Sequence, residues 1–379
     1  MERAYDLIVV GAGVIGLSCA WRCAQAGMSV LAIERDEPGA GASGVAAGML
    51  APVTEAGFGE EELLRLNLDA RAQWPAFAAE LEELTALPTG YRDSGALVVA
   101  ADRDDAEELR RLHEFQAELG LDAEWLSPRE ARRREPGLSP RIAGAIHAAQ
   151  DGQADPLAVL RALARAFEAA GGELRSRVEV VGLDTAGGEV TGVATDAGER
   201  IGARTVLIAT GAWSSDGGLA TEASAPPVRP VKGQLLELRV RRGFRPPASR
   251  IVRTPRCYLV TRADGRVVLG ATQEEQGFDT AVTADGVFRL LEAAWEVLPD
   301  VGELELERAV AGVRPGTPDN LPAVGAGALG GLVWATGHYR NGVMLAPTTG
   351  RAVAQLLETG ELPAPFAPFG PERFWEVPA

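Results

Sequence analysis

An apolar run that breaks into Gly11-Ala12-Gly13-Val14-Ile15-Gly16 leaves a chain few folds to adopt. Asp6 to Val10 read as a buried parallel strand. After the glycines a helix is expected to about Ala26, Gly27 ends it, and "SVLAIE" gives a second strand. Each glycine has a task. Gly11 allows the tight turn, Gly13 lets a pyrophosphate approach the backbone, and Gly16 lets the helix lie close to the strand. The helix N-terminus offers its unpaired N–H groups to phosphate. Glu34 closes the second strand, where an acid accepts hydrogen bonds from a ribose. Strand, glycines, helix, strand and acid in one register predict dinucleotide binding. They do not choose between NAD and FAD, but an acid at Glu34 would repel the 2′-phosphate of NADP.

Composition narrows the partners. The chain has 379 residues and a net charge of −16, and Lys232 is its sole lysine. An acidic chain is repelled by phosphate backbones, so neither nucleic acid nor an anionic membrane surface is expected as a partner. No apolar run reaches membrane-spanning length. The N-terminal apolar run ends in a glycine turn rather than a cleavage site. Cys19, Cys23 and Cys257 form no CxxC pair and are too few for a disulfide framework, and Cys19 and Cys23, one helical turn apart, read as buried thiols, so a reduced, cytoplasmic location is expected. No histidine and acid spacing suggests a metal.

The rest alternates between two kinds of segment. "GAGASGVAAGMLAP" (Gly39 to Pro52) is rich in small residues, which let a backbone pack against a large planar ligand. Residues 60–84 read as an amphipathic helix and "GYRDSGALVVA" as turn and strand. Asp155-Pro156 is a helix start for 155–171, with Gly171-Gly172 the stop. Thr205 to Thr210 reads as a strand ending at Gly211-Ala212-Trp213; in flavoproteins with two dinucleotide segments such a strand runs under the cofactor. Ala263-Asp264-Gly265 is a hairpin turn, and Pro299 ends a helix over 284–298. We expect an α/β and α+β protein with a discontinuous Rossmann-like nucleotide domain (1–85, 150–225 and 319–365). A second, antiparallel-sheet substrate domain (86–149 and 226–318) and a C-terminal tail (366–379) complete it. A cleft between two such domains is the usual place for a ligand.

The segments "DLIVVGAGVIG", "AAGMLAP", "VKGQ", "CYLV", "RPGTPDNLP" and "GHYRNGVMLAPTTG" together resemble glycine oxidase of the thiamine-biosynthesis type, in the FAD-dependent D-amino-acid oxidase superfamily. "GATQEEQGFD" fits a bacterial subgroup of it. The resemblance implies non-covalent FAD. It carries Val14, Ile15, Glu34, Arg35, Ala42, Ser43, Ala47, Gly48, Met49 and Val178 over as flavin contacts. Residues His338, Tyr339, Arg340, Asn341, Gly342, Val343 and Met344 would border the isoalloxazine ring. It maps the carboxylate-binding arginines onto Arg314 and Arg340 and the active-site tyrosine onto Tyr258. It further suggests a homo-tetramer.

Elementary chemistry agrees with these assignments. A substrate carboxylate taken into a desolvated cleft needs a counter-charge, and a guanidinium matches it as a planar, permanently charged fork. Arg340 is expected in a turn between the strand Leu332 to Thr336 and a helix beginning near Met344 to Pro347. Arg314 is expected to end a strand before Pro315. The expected reaction is hydride transfer from a neutral amine to the flavin, with backbone carbonyls or Gln273 accepting the amine hydrogens and no side-chain base. Oxygen then reoxidises the flavin to give peroxide. The imine is hydrolysed or enters thiazole formation. His338 is expected to pack or touch flavin. Arg256 stands where some relatives carry histidine: facing the pocket it favours acidic D-amino acids, and facing solvent it leaves glycine and sarcosine. The rival readings are a dehydrogenase that passes electrons to a quinone, an oxidase with another D-amino-acid preference, a flavin module without turnover and a tRNA-modifying flavoprotein.

Overall fold

Three separated stretches of chain build one mostly parallel sheet. In the computed structural model, which describes residues 5–215, 219 and 225–375, its strand order is Leu332–Thr336, Arg200–Ile208, Tyr5–Val10, Val30–Glu34 and Glu173–Ser176, all parallel. Ala323–Ala326 is antiparallel on the outer edge, and the hairpin of Val180–Ala186 and Glu189–Thr195 extends from Arg200–Ile208. Alternation along the first strand feeds two cores. Leu7 and Val9 pack under the helices Val14–Gln25, Glu61–Thr85, Pro156–Ala169 and Gly342–Thr359, while Ile8 and Val10 face the hairpin side with Val190 and Val193. Asp155 caps the third of these helices, accepting from the Leu157 and Ala158 N–H groups at 3.2 and 3.5 Å.

The second sheet runs Glu305–Gly316, Arg229–Arg239, Arg266–Gly270, Tyr258–Thr261, Ile251–Arg253, Ala96–Ala100, Gly144–Ala148 and Glu124–Leu126. Neighbours are antiparallel except Ile251–Arg253 with Ala96–Ala100, a parallel pair where the two excursions of the chain meet. The sheet expected to be antiparallel is therefore mixed. Its helix Ala284–Val297 buries Leu290, Ala293, Ala294 and Val297 against Leu236, Leu238 and Leu269. Lys232 is only 1% exposed, and its Nζ lies 2.5 Å from Asp279 and 3.9 Å from Glu274. The single lysine thus anchors the 271–283 segment to the sheet.

Three expectations shift. The final helix begins at Gly342, with Asn341 as its N-cap, earlier than Met344. The strand carrying Arg314 continues through Pro315 to Gly316, which an edge strand permits because its outer N–H groups need no partner. Phe366 and Phe369 are fully buried, so the stretch expected as a tail begins inside the core, and its last residues, 376–379, lie outside the described residues. Cys19, Cys23 and Cys257 are buried free thiols, and burial pushes Cys23 up to about 12 and Cys257 to about 11. Among the described residues no helix is long and apolar enough to cross a membrane.

A methyl group on Gly16 would collide with the Gly11 carbonyl and lie 3.3 Å from Ala209 Cβ. Gly16→Ala is expected to cost about 1–3 kcal/mol by overpacking, read as a lower denaturant midpoint of the apoprotein. Unchanged stability would contradict this close helix–strand contact.

Candidate active site

Residues of both sheets line a cavity of about 660 Å³. At its wall the first strand ends in Gly11, whose φ of +102° only glycine adopts freely. A Cβ there would also lie 2.6 Å from the Ala209 carbonyl oxygen. Gly13, the N-cap of helix Val14–Gln25, lines the cavity with only Ser43 Oγ near the space a side chain would fill, at 3.3 Å. Ser43 Oγ accepts from the Val14 N–H at 3.0 Å. Glu34 Oε2 accepts from the Ala12 N–H at 2.8 Å and Oε1 from the Asp36 N–H at 3.1 Å. Arg35 lies 4.1 Å over the Trp213 ring, which stacks on Phe278 with centroids 5.4 Å apart.

A bare glycine face at a helix N-terminus, an acid at the next strand end and a small-residue wall fit a flavin dinucleotide. Of the residues expected at the cofactor, Gly11, Gly13, Val14, Ile15, Glu34, Arg35, Ala42, Ser43, Ala47, Gly48 and Met49 line the cavity. So do Val178, Gly211, Trp213, His338, Tyr339, Arg340, Gly342 and Val343. Gly16, Asn341 and Met344 do not. Gly16 faces the strand; Asn341 Oδ1 accepts from Asn67 Nδ2 at 3.3 Å; Met344 points into the helical core, its carbonyl accepting from Trp74 Nε1 at 2.9 Å.

Arg314 and Tyr258 line the same cavity, each lying on a glycine. Arg314 Nη1 donates to the Thr272 carbonyl at 3.2 Å and the Lys232 carbonyl at 3.4 Å, and a Cβ on Gly233 would lie 2.6 Å from its Cζ. A Cβ on Gly270 would lie 2.5 Å from Tyr258 Oη. Burial raises the Tyr258 phenol above its ordinary value, partly offset by Arg314, so it is a protonated donor at neutral pH.

Arg340 comes from the other sheet. The preceding Tyr339 has a φ of +46° and donates its N–H to the Pro315 carbonyl at 3.0 Å. That bond sets the turn carrying Arg340 against the strand end carrying Arg314. The Arg340 guanidinium lies 5.5 Å from the Tyr339 ring and makes no ion pair among the described residues. His338 is buried, its Nε2 lies 3.1 Å from Thr349 Oγ1, and burial pulls it down to about 3. His338 thus lines the cavity as a buried ring.

Gln273, expected at the substrate, lies elsewhere, and Arg256 takes the solvent-facing one of its two expected orientations. Gln273 is exposed and outside the cavity lining. Thr272 turns inward, where its hydroxyl accepts from the Gln234 N–H at 2.9 Å, and the next residue faces out. Arg256 is also exposed, paired with Glu296 on helix Ala284–Val297, so it brings no third charge to the cavity. Glu55, which the sequence did not single out, does line it, 3.5 Å from Arg253. Its loop is clamped by Asp151, which accepts from the Val53 and Thr54 N–H groups at 3.1 and 3.0 Å, and by Gln116 Nε2 on the Val53 carbonyl at 2.8 Å. The available signal was an acid just beyond the small-residue segment. Among the described residues no cluster of His, Cys, Asp and Glu is placed to hold a metal ion.

Comparison with known proteins matches residues 6–356 to the family described as FAD dependent oxidoreductase. Glycine oxidase of Geobacillus kaustophilus is 35% identical, with 98% of each chain aligned. The bifunctional protein ThiO/ThiG of Trichormus variabilis is 35% identical over 93% of this chain, which spans 52% of that protein. The crystal structure of glycine oxidase from Geobacillus kaustophilus superposes with a TM-score of 0.92 at 34% identity, covering 100% of both chains.

Gly233→Ala is expected to displace the Arg314 guanidinium and raise the apparent KM for an amino-acid substrate by about tenfold or more, equivalent to ~1.4 kcal/mol, with FAD still bound. An unchanged KM would mean that the Arg314 position does not depend on its glycine seat.

Proposed function

This chain belongs to the FAD-dependent oxidoreductase family, and on that premise we propose that it oxidises glycine and other small amines or D-amino acids, such as sarcosine and D-alanine. The products are an imine, which water converts to an oxo acid and ammonia (methylamine in the case of sarcosine), and hydrogen peroxide formed when oxygen takes the two electrons. The observation that carries this reading is the convergence of Arg314 and Arg340 from different sheets on one cavity, tied together by the Tyr339–Pro315 hydrogen bond. Adding Glu55 gives that cavity cationic and anionic walls, the charge pattern of a zwitterionic amino acid.

In this reading the guanidinium groups of Arg314 and Arg340 receive the substrate carboxylate, and the Tyr258 hydroxyl donates to it. Arg314 is already held by two backbone carbonyls, so little freedom is lost on binding. Bound FAD supplies the two-electron acceptor for the α-hydrogen. The protein supplies orientation and desolvation, with no side chain required as a base. The outward face of Arg256 leaves substrates with a single carboxylate favoured over acidic D-amino acids. A role in supplying dehydroglycine for thiazole formation is supported by the likeness to proteins named ThiO/ThiG.

The test is peroxide release, with the absorption spectrum recorded, on glycine, sarcosine, D-alanine and D-aspartate. Peroxide from glycine at a kcat/KM well above that for D-aspartate, unchanged in Arg256→Ala, is the expected outcome. Bleaching of the flavin in air without peroxide would instead assign the electrons to another acceptor such as a quinone. A preference for D-aspartate would overturn the substrate reading.

A further inference from the structure

Arg262 is the cation this reading leaves unused. It follows the strand Tyr258–Thr261 in the second sheet, yet its side chain reaches into the nucleotide-binding part of the molecule and is only 5% exposed. Its partners are all neutral oxygens. Nη1 donates to Gln153 Oε1 at 2.9 Å and to the Ala154 carbonyl at 2.8 Å, and Nη2 donates to the Ala47 carbonyl. Its Nε has no acceptor, and among the described residues no carboxylate pairs with it. The nearest acid, Asp155, is bound to Arg266. Burial pulls the Arg262 guanidinium down to about 10, so it remains charged at neutral pH.

A buried cation with no direct ion pair is expensive, even with the Asp155 carboxylate acting on it through space, and this one sits one peptide behind the cavity wall. Ala47 and Gly48 both line the cavity. A trans peptide is planar, with its C=O and N–H on opposite sides. With the Ala47 carbonyl drawn toward Arg262, the Gly48 N–H of the same peptide faces the other way, toward the cavity. It donates to nothing among the described residues. Gly48 also has a φ of +67°, and a Cβ there would lie 2.8 Å from Pro156 Cδ, so glycine is required for the peptide to sit there.

We propose that Arg262 is a positioning residue for the flavin: by holding the Ala47 carbonyl it presents the Gly48 N–H to the bound cofactor, and with its own charge it favours the reduced form. The inference rests on FAD occupying this cavity. Reduction of a flavin adds negative charge to its ring, and a fixed donor backed by a buried cation stabilises that charge more than the neutral ring. Arg262 itself touches neither substrate nor reacting atoms in this account.

The experiment compares wild type, Arg262→Lys and Arg262→Met as reconstituted holoproteins. The FAD dissociation constant is measured by fluorescence quenching, and the two-electron midpoint potential by dye-coupled titration without substrate. In Arg262→Met the reduced flavin is expected to lose about tenfold more affinity than the oxidised flavin, which for a two-electron couple is a fall of about 30 mV. Arg262→Lys keeps the charge and is expected to retain at least half of that difference. A merely structural role would weaken both redox forms equally and leave the potential where it was; that result, or equal potentials in all three proteins, would overturn the proposal. Should the methionine variant not hold FAD, Arg262→Gln takes its place as the uncharged variant, with the same fall of about 30 mV expected and an unchanged potential there overturning the proposal. A wild type that binds no FAD would refute the cofactor reading itself, a separate failure visible before any variant is made.

Discussion

The hydrogen bond from the Tyr339 N–H to the Pro315 carbonyl is the contact on which the site depends. Arg314 lies near the end of a strand of one sheet and Arg340 in the turn after a strand of the other, and neither sheet alone can surround a small anion. The bond fixes the separation of the two backbone segments that carry the arginines. It is made at a price in conformation, since a φ of +46° is unfavourable for tyrosine and persists only where the surroundings hold it. Gly337, with a φ of +71° and Thr317 close to where its side chain would be, gives the turn the room to form. Strain at this turn and precision at the site are the same structural fact.

Glycine does a second kind of work on the other sheet. Gly233 and Gly270 are flat places on neighbouring strands over which Arg314 and Tyr258 lie. In water these two long side chains would sample many rotamers; stretched across bare backbone and, for Arg314, hydrogen-bonded to two carbonyls, they are fixed before a ligand arrives. The same economy explains the wall around Ala47 and Gly48, where a small residue and a glycine let backbone amides approach a planar ligand. Lys232 and Arg262, both buried, are the charges that hold these parts in place: one ties the 271–283 segment to the sheet and the other ties the second sheet to the cavity wall.

What was legible in the sequence was local. The cradle of Gly11, Gly13 and Gly16 with Glu34 is written in one continuous stretch, so its strands and helix fell where the spacing put them. Arg314 and Tyr258 came from the resemblance, being by residue type alone ordinary candidates for surface or core, whereas Arg340 stands out in the sequence as a charge within an apolar, glycine-containing turn. The features that went unread are those that exist only across the fold. Glu55 reaches the cavity because Asp151 and Gln116, distant in sequence, clamp its loop. Gly233 has no meaning until Arg314 crosses it. Gln273 was expected at the substrate because of its place in the chain, yet it follows an inward Thr272 and faces out; Arg256, whose direction the sequence left open, precedes the strand start at Tyr258 and meets Glu296.

The central claim is that Arg314 and Arg340 act on one carboxylate, and a double-mutant cycle tests it most directly. Acetate binding to the holoprotein, followed by the change it makes in the flavin spectrum, would be measured for Arg314→Lys, Arg340→Lys and the double variant. A shared carboxylate predicts that the two losses fail to add, with a coupling of about 1 kcal/mol or more. Losses that add within ~0.5 kcal/mol would show the two arginines acting on separate things, and the account built on their convergence would not stand.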